Sequence, residues 1–533
     1  MPSATRQALP AETDRARWAV LVLTIGLSFR GTPHHAHAAV EPAVSPATSV
    51  DPYVAKPRIL VLSDIANEPD DQMSLVRLLV YSNELDIEGL VATTSTWMKD
   101  KVRPDVILDV IDAYAKVRAN LALHADGYPS TEQLRALVRA GQPTYGMAAV
   151  GKGQLSPGAA LILEAAAKKD DRPLWVTIWG GANTLAQALW HARATQSPAE
   201  VQGLVDKLRV NAISDQDDAG PWIRREFPAL RVIGTPSTQD GAEYRYATWT
   251  GISGDLFYKN APGADFSTFT DEWVDANIRS RGPLGQHYPY PCCIHEGDTP
   301  SYLGLIDNGL SSAMSPSNGG WGGRYVWRQP YGEPRPMWTQ GGDSYPGQDS
   351  SRDTVVGVDG KTYTSDQATI WRWRTAFQHD FAARMAWSVL PFDKANHNPS
   401  VVVNDMPGKA PIELAAQVGV PLTLSAKASS DPDGDAIVFR WFFYPEAGTG
   451  VPGHPVATDL RSLFAPPGPG PHSGPPTLIP RIELRDADTP MATIVPRVAG
   501  TAHVILQVED DGTPSLTSYR RVILTIAEAP AAP

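Results

Sequence analysis

A cluster of carboxylates in one short stretch of the sequence has the residue types and spacing best suited to chemistry. The stretch RILVLSDIANEPDD contains Asp64, Glu68, Asp70 and Asp71. Carboxylates held a few ångströms apart raise one another's pKa, and a bound divalent cation is the usual way to neutralise them. Their hard oxygen atoms favour Ca²⁺ or Mg²⁺ over zinc. The alternative is that Asp70 caps the following helix with Asp71 in its first turn, which leaves Asp64 and Glu68 unexplained.

The elements on either side of this stretch predict where the carboxylates lie. Residues 59–62 are an uninterrupted apolar run, typical of a strand buried on both faces, and residues 73–79 have helical spacing. Ligands of open α/β sheets bind beyond the carboxyl ends of the strands. The stretch therefore predicts a ligand site at that edge of a sheet.

Strand-like and helix-like segments alternate over the next part of the chain. Further strands are predicted at residues 87–94, 174–179, 208–214 and 231–234, with helices at 105–117, 158–168 and 183–193. This order predicts a mainly parallel sheet with helices on both faces.

Polar residues recur where the predicted strands end. Trp179 and a Gly-Gly turn lead into a helix that begins near Asn183. The next strand runs into the acidic block SDQDD, which contains Asp215 and Asp217, and a later HEGD block also precedes a helix. Each signal alone is weak, because Asp or Thr before a helix is often a cap. Their recurrence at one sheet edge favours a shared site.

The last part of the chain has a different pattern. From residue 410 to 528, apolar and polar residues alternate with a period of two between Asp-Gly and Pro turns, which predicts an all-β, immunoglobulin-like sandwich. Asp431, Asp433 and Asp435 either bind Ca²⁺ or form a tight turn. Residues 448–474, rich in Pro and Gly, predict an exposed loop. Residues 396–409 are the predicted linker to an α/β domain at 57–395.

Composition and the amino terminus indicate an exported protein. Residues 1–38 read as a signal peptide followed by a linker at 39–56, so we expect a secreted or periplasmic location. No segment is long enough for a membrane span of about 20 residues. The net charge of −12 argues against a nucleic acid polymer as partner. Cys292 and Cys293 are interpreted as ordinary thiols or a strained local pair.

The motifs as a whole resemble nucleoside hydrolases. The similarity is closer to a family of exported nucleoside-hydrolase-like proteins described as cellulose-binding. It rests on SDIANEPDDQMSLVRLLVYSNELDIEGLVATTS, ISDQDDAGPWIRREFP, EGDTPSYLGLIDNGL, GGWGGRYVW and WRWRTAFQHDFAARM, and covers residues 57–528. The resemblance implies a nucleoside-hydrolase-like α/β domain followed by the sandwich.

The resemblance also implies a Ca²⁺ site. In it, Asp64, Asp71, the carbonyl group of Asn183 and Asp298 hold the cation, and Asp70 binds sugar hydroxyls. Asp64 is then the catalytic residue, a general base for a Ca-bound water that attacks the anomeric carbon. The implied function is an exported metal-dependent hydrolase acting on a glycosidic or N-glycosidic bond of a sugar or polysaccharide substrate. The other candidate substrate-binding residues are Asn67, Glu68, Trp179, Asp215, Asp217, Glu296 and Trp321.

The sequence departs from nucleoside hydrolases at three places. Five residues, IANEP, separate the first acid from the Asp pair where the enzymes have three, so Asp64 or Glu68 is the base. Gly297 stands where purine-processing relatives place the histidine that protonates the leaving base, and His295 or Glu296 is the candidate replacement. The SDQDD block replaces an Asn-containing sugar clamp. A second hypothesis is therefore a non-catalytic or weakly catalytic polysaccharide-binding protein.

Tryptophans in the Gly-rich second half bear on both hypotheses. Flat indole faces can stack on sugar rings, but tryptophans more often fill cores. The residues concerned are Trp321, Trp327, Trp338, Trp371 and Trp373.

Overall fold

A computed structural model describes residues 46–237, 241, 243–340, 351–448 and 481–529. The predicted signal peptide at 1–38, the first part of the linker predicted at 39–56 and most of the loop predicted at 448–474 lie outside these residues.

An eight-stranded sheet forms the centre of the first domain. Its strands are β1 Arg58–Ser63, β2 Asp86–Ala92, β3 Val138–Ala140, β4 Leu174–Ile178, β5 Leu208–Ala212, β6 Arg231–Gly234, β7 Val326–Arg328 and β8 Met337–Thr339. Their order is 3-2-1-4-5-6-8-7, and only β7 and β8 pair antiparallel. The predicted mainly parallel sheet is confirmed. Strands β3, β7 and β8 were not predicted, because they are too short to give an apolar run.

Helices cover both faces of this sheet. They are α1 Pro69–Val80, α2 Pro104–Ala115, α3 Arg118–Leu121, α4 Thr131–Ala136, α5 Pro157–Ala167, α6 Asn183–Thr195, α7 Pro198–Lys207, α8 Ala219–Glu226, α9 Asp255–Tyr258, α10 Asp271–Val274, α11 Gly282–Gly285, α12 Pro300–Leu303, α13 Ala368–Trp371 and α14 Arg374–Trp387. Alternate residues of β1 enter different cores. Ile59 and Val61 pack with residues of α1 and α2, whereas Leu60 and Leu62 pack with residues of α5 and α6. The uninterrupted apolar run thus reflects burial on both faces.

The start of α1 sets the direction of the acid pair. Pro69 is the first residue of the helix, where its fixed φ and missing N–H are tolerated. Glu68 holds the N-cap position and makes no side-chain capping hydrogen bond. The alternative in which Asp70 caps the helix is therefore wrong. Asp70 and Asp71 both lie in the first turn.

The carboxyl-terminal part is a two-sheet sandwich, as predicted. Two hairpins precede it, formed by β9 Asp353–Val356 with β10 Thr362–Ser365 and β11 Val402–Val403 with β12 Met406–Pro407. One sheet contains β13 Ile412–Gln417, β19 Thr517–Ala527, β18 Gly500–Asp510 and β15 Ile437–Phe443; the other contains β14 Leu422–Ser425, β17 Met491–Pro496 and β16 Ile482–Arg485. Apolar residues of both sheets, including Leu424, Trp441 and Leu506, form the core between them.

The sandwich shares a core with the first domain. Tyr444, Ile505 and Tyr519 belong to the same buried cluster as Trp373 and Phe377. The guanidinium of Arg521 donates hydrogen bonds to the carbonyls of Leu310, Asn318 and Gly319 at 2.6–2.9 Å. Removing the sandwich would therefore expose the core of the first domain.

Candidate acidic site at the carboxyl edge of the sheet

A cavity lies beyond the carboxyl ends of β1, β4 and β5. Its polar wall consists of Asp64, Asn67, Glu68, Asp70, Asp71, Ser214, Gln216 and Asp298. Its aromatic wall consists of Trp97, Trp179, Tyr244, Trp249 and Tyr258. Segments that are distant in sequence meet there because parallel strands end at one edge. Of the predicted site residues, Asp64, Asn67, Glu68, Asp70, Asp71, Trp179 and Asp298 line this cavity.

Three aspartates bring their oxygen atoms together. One carboxylate oxygen each from Asp70, Asp71 and Asp298 lies within 4.8 Å of the others. The hydroxyl of Ser63 donates to Oδ1 of Asp71. Nδ2 of Asn67 lies 3.4 Å from Oδ2 of Asp64, a long hydrogen bond. Local donors thus hold the acids facing one another.

Burial and mutual repulsion raise the pKa of every acid in the group. Burial raises the pKa of Asp64 to about 6. Burial, followed by the charges of Glu68 and Asp64, raises the pKa of Asp70 to about 7. The pKa values of Asp71 and Asp298 stand well above the usual range, first through burial and then through the neighbouring carboxylates. The charged form of the group is costly without a counter-ion.

Two glycines make room for these carboxylates. A Cβ atom at Gly180 would lie 2.7 Å from Oδ1 of Asp64, and one at Gly297 would lie 2.6 Å from Oδ2 of Asp70. Real Cβ atoms do not approach oxygen so closely, so any larger residue would displace an acid. Gly297, where purine-processing nucleoside hydrolases have histidine, therefore has a steric role here.

The residues present fit a hard divalent cation. Oδ2 of Asp298 is buried and has no hydrogen-bond partner among the described residues. None of the described residues that line the cavity is lysine or arginine. Clustered carboxylate oxygens are the ligands that Ca²⁺ and Mg²⁺ prefer. Asp70, Asp71 and Asp298 are placed to hold such an ion, with Asp64 beside them.

Asn183 is not among the residues that line the cavity. It begins α6, and its Nδ2 donates to Oγ1 of Thr94 and to the carbonyl of Thr144 at 3.0 and 2.8 Å. Its Oδ1 is buried without a partner among the described residues. A role for its carbonyl as a cation ligand stays a prediction.

The two predicted acids of the SDQDD block lie outside the cavity lining. Asp215 forms a buried, bidentate ion pair with Arg224 at 2.8 and 2.7 Å. Asp217 accepts the backbone N–H groups of Asn183 and Ala219, both at 3.0 Å. Asp217 thus satisfies one donor at the start of α6 and one at the start of α8. Within this block, Gln216 lines the cavity, and its Oε1 is buried without a partner among the described residues.

Glu296 and Trp321 are also placed away from the cavity. Glu296 is fully buried, pairs with Arg77 at 2.5 and 3.0 Å, and accepts a hydrogen bond from Tyr288. Trp321 is 1% exposed and packs edge-on against Phe377 in the core. The core interpretation therefore holds for Trp321.

His295, the other candidate for the leaving-group acid, does not line the cavity. It is buried, and its ring packs against Phe269 with the centroids 5.4 Å apart. Burial lowers its pKa to about 4. It is thus neutral at physiological pH.

Most of the aromatic wall was not predicted from the sequence. Trp97 is 48% exposed at the cavity and lies five residues after the end of β2. Because the carboxyl ends of parallel strands meet at one edge, its position after a strand was a usable signal. Tyr244, Trp249 and Tyr258 come from an irregular segment between β6 and β7. Trp249 packs edge-on between the two tyrosines, with centroid distances of 5.5 and 6.2 Å. That segment has no periodic pattern that could reveal its position.

A second acidic group lies in the sandwich. Oxygens of Asp431, Asp433 and Asp435 lie within 4.8 Å of one another. Oδ1 of Asp431 accepts the backbone N–H groups of Asp433 and Asp435, and Asp433 binds His397. These contacts are those of the tight turn that was predicted as the alternative to a Ca²⁺ site.

The doubly covered parallel sheet and the acids at its carboxyl edge define a nucleoside-hydrolase-like α/β protein. Residues 58–325 match the family described as "Cellulose-binding Sde182, nucleoside hydrolase-like domain", and residues 421–526 match "Cellulose-binding protein Sde0182, C-terminal domain". The chain belongs to this Sde182 family, as the sequence motifs predicted.

A solved structure supports the assignment. A nucleoside hydrolase-related hypothetical protein from Saccharophagus degradans, described as associated with carbohydrate metabolism, is 32% identical with a TM-score of 0.69, covering 89% of this chain and 100% of its own. Two other solved structures are far less similar. A PKD domain of the KIAA 1837 protein has 19% identity and a TM-score of 0.14, covering 23% of this chain and 89% of its own. The effector protein XOO4466 has 13% identity and a TM-score of 0.28, covering 64% of this chain and 95% of its own. No curated protein matches the chain. Among the described residues, no helix has the length and apolar character needed to cross a membrane.

Proposed function

We propose that this chain is an exported, Ca²⁺-dependent hydrolase that acts on a glycosidic or N-glycosidic bond of a sugar-containing substrate. The observation that carries the proposal is the group of carboxylates at the cavity, which includes the buried Asp71 and Asp298 and the half-buried Asp70 and faces no lysine or arginine among the described lining residues. A carbohydrate substrate is supported by the family description and by the carbohydrate association of the S. degradans relative.

Several of the acids would bind one cation jointly. Asp71 and Asp298, whose oxygens lie close to each other and to one of Asp70, are the proposed central ligands, and Asp64 and the carbonyl of Asn183 are further predicted ligands. A cation bound there supplies Lewis-acid polarisation of its oxygen ligands and anchors a sugar diol. Asp70 lies at the partly exposed side of the group, where it can accept hydrogen bonds from sugar hydroxyls.

Asp64 is better placed than Glu68 to act as general base. Asp64 is 2% exposed and lies against the Gly180 turn, which leaves its carboxylate little room to move. Glu68 is exposed at the N-cap of α1. In the proposed mechanism, Asp64 accepts the proton of the attacking water, which is typically worth about 10²–10⁴-fold in rate. Glu68, which also lines the cavity, is the candidate for protonating the leaving group, because His295 and Glu296 contact other parts of the protein.

The aromatic wall fits a sugar ring. Trp97 presents an exposed indole at the cavity, while Trp179 and Trp249 are buried in its wall. Indole faces stack on the apolar faces of sugars. Together with the acids, these aromatic side chains would exclude water from one side of the sugar ring. The sugar hydroxyls would then donate hydrogen bonds to Asp70.

The test is hydrolysis of nucleosides and of cello-oligosaccharides by the full chain, with Ca²⁺ or with a chelator. We expect turnover of one class with Ca²⁺ and none with chelator, and no turnover by Asp71→Asn. Asp105→Asn is the matched control, because Asp105 follows the first proline of α2 as Asp70 follows that of α1, yet is exposed beside Arg103. Full activity of Asp71→Asn would refute the mechanism.

The second candidate function is polysaccharide binding with little catalysis. It is favoured by the placement of His295 outside the cavity lining and by the family's description as cellulose-binding. The full chain is the proper reagent for a pull-down on insoluble cellulose, because the sandwich shares its core with the first domain. Retention on cellulose by wild type and Asp71→Asn, with no hydrolysis by either, would favour this function.

A further inference from the structure

Two adjacent thiols lie beside the cavity and have no role in the proposed hydrolysis. Cys292 and Cys293 are the only two cysteines of the chain. Their sulfur atoms are 3.0 Å apart, and the two residues are not bonded to each other in the structure. Cys292 is exposed, whereas Cys293 is half-buried and packs against the main core. The pair is thus close enough to react internally and open to reagents on one side.

The thiol pair is physically linked to the cavity. Ile294, the next residue, lines the cavity, as do Gly297 and Asp298 in the same segment. Burial, then the neighbouring thiol and then the carboxylates of Glu68 and Asp70 together raise the pKa of Cys293 to about 12. Cys293 is therefore within electrostatic reach of the acids.

We propose that Cys292 and Cys293 form a reversible vicinal disulfide at the edge of the acidic cavity, with an external disulfide compound as oxidant. The exposed Cys292 thiolate attacks a sulfur of the oxidant RSSR, forms Cys292–S–SR and releases one RS⁻. Cys293 then loses its proton, attacks the Cys292 sulfur and releases the second RS⁻. In sum, two protein thiols and one RSSR give one protein disulfide and two RSH.

Adjacency makes the bond easy to form and easy to reverse. The second step is intramolecular between atoms already in contact, so it benefits from a high effective concentration. Neighbouring Cα atoms are about 3.8 Å apart across a trans peptide, less than the 4.4–6.8 Å usual for disulfides. Strained or exposed disulfides are the readily reduced, regulatory ones.

Ring closure would also act on the cavity. The ring includes the backbone between Cys292 and Cys293, immediately before Ile294, and so restrains the segment that carries Asp298. This part of the inference rests on the proposed cation site. We expect the Ca²⁺ dissociation constant to differ by about fivefold or more between the reduced and oxidised protein, the lower end of typical coupling between sites.

The test begins with the reduced full chain and glutathione disulfide. We expect the intact mass to fall by two hydrogen atoms, with no titratable thiol after denaturation and no glutathione adduct. Cys293→Ser should instead keep a glutathione adduct on Cys292, and Cys292→Ser should react more slowly because its remaining thiol is less accessible. Two surviving thiols, a lasting adduct on the wild type, or covalent dimers would overturn the disulfide.

The effect on the cavity is measured separately, by calorimetric titration of both redox forms with CaCl₂. Equal dissociation constants would overturn the link to the cavity. Absence of Ca²⁺ binding by the reduced protein would refute the proposed function instead, while the mass measurement would still decide whether the disulfide forms.

Discussion

The same two segments of this protein build two buried acidic sites with opposite partners. Helix α1 contributes Asp71 to the cavity and, further along, Arg77 to the core; the loop before α12 contributes Asp298 to the cavity and Glu296 to the core. In the core, acid meets arginine at 2.5 Å, whereas in the cavity acid meets acid. In the core, the protein itself neutralises a buried acid with a cationic side chain. In the cavity it supplies no such side chain among the described lining residues, so a cation from solution is the expected partner.

Two further buried acids follow the pattern of the core. Asp353 lies between Arg324 and Arg372 at 2.8 Å each, and Asp51 binds Arg209 and Arg231 at 2.7 Å. Burial of a charge is costly unless it is paired. The carboxylates of the cavity thus point to function more strongly than an equal number of paired acids would.

The largest expected effect of a single substitution is on the core pair. Glu296→Gln leaves the Arg77 guanidinium buried without its carboxylate, and breaking a buried pair in this way costs about 3–5 kcal/mol. We expect the free energy of unfolding, measured by urea denaturation, to fall by that amount. A fall in the free energy of unfolding of less than about 1 kcal/mol would show that the core pair contributes little to stability, against the proposed contrast between the core and the cavity.

Asp71→Asn should have the opposite balance of effects. Because it removes a charge that repels its neighbours, the free energy of unfolding without added cation should stay within about 1 kcal/mol of wild type or rise. The Ca²⁺ dissociation constant should rise by at least about 100-fold, since even outer partners of metal ligands are worth 10–100-fold. If Asp71→Asn lowers the free energy of unfolding as much as Glu296→Gln does, Asp71 has a structural role and is not a cation ligand.

The dependence of stability on pH gives a third test. Without added cation, the folded protein holds protons on Asp64 and Asp70, with pKa values of about 6 and 7, that the unfolded chain loses near its ordinary value of about 4. Stability contributed by these groups therefore falls as the pH rises from about 4 to above 7.

Bound Ca²⁺ removes this penalty, so it should raise Tm more at pH 8 than at pH 5. At a concentration about 100 times Kd, a ligand adds about 2.7 kcal/mol. Thermal unfolding with and without CaCl₂ at both pH values measures the difference. An equal rise of Tm at the two pH values would show that the cation does not bind to these acids.

The smallest expected effect concerns the aromatic wall. Trp97→Ala removes an indole that is 48% exposed, so stability should change little, whereas loss of stacking should weaken sugar binding by about 1 kcal/mol, or roughly fivefold. Tyr331→Ala, at an aromatic residue that is 60% exposed and does not line the cavity, is the control. If wild type, Trp97→Ala and Tyr331→Ala bind cello-oligosaccharides with equal affinity, Trp97 does not contact the sugar.

The parts of the site that the sequence predicted are those attached to regular elements. Asp64 follows a strand that is recognisable as an apolar run, and Asp70 and Asp71 begin a helix with clear periodicity. Parallel strands end together, so these positions could be combined without a structure.

What the sequence could not predict depends on side-chain direction and on irregular chain. Glu296 and Asp298 are two residues apart, yet one points into the core and the other into the cavity. Glu296 has a positive φ of 56°, a local backbone conformation that the residue types do not reveal. Asp217 binds backbone donors of a helix from a different part of the chain, and Trp249 lies on a segment without periodicity. Each of these contacts is set by tertiary packing alone.

Calorimetric titration of the reduced full chain with CaCl₂ tests the central claim most directly. Wild type and Asp105→Asn should show a saturable site that Asp298→Asn lacks, and Asp431→Asn, titrated in parallel, should retain it because Asp431 belongs to the sandwich turn. Identical binding by wild type and Asp298→Asn, or no binding by wild type, would contradict the assignment of the cavity acids to a cation.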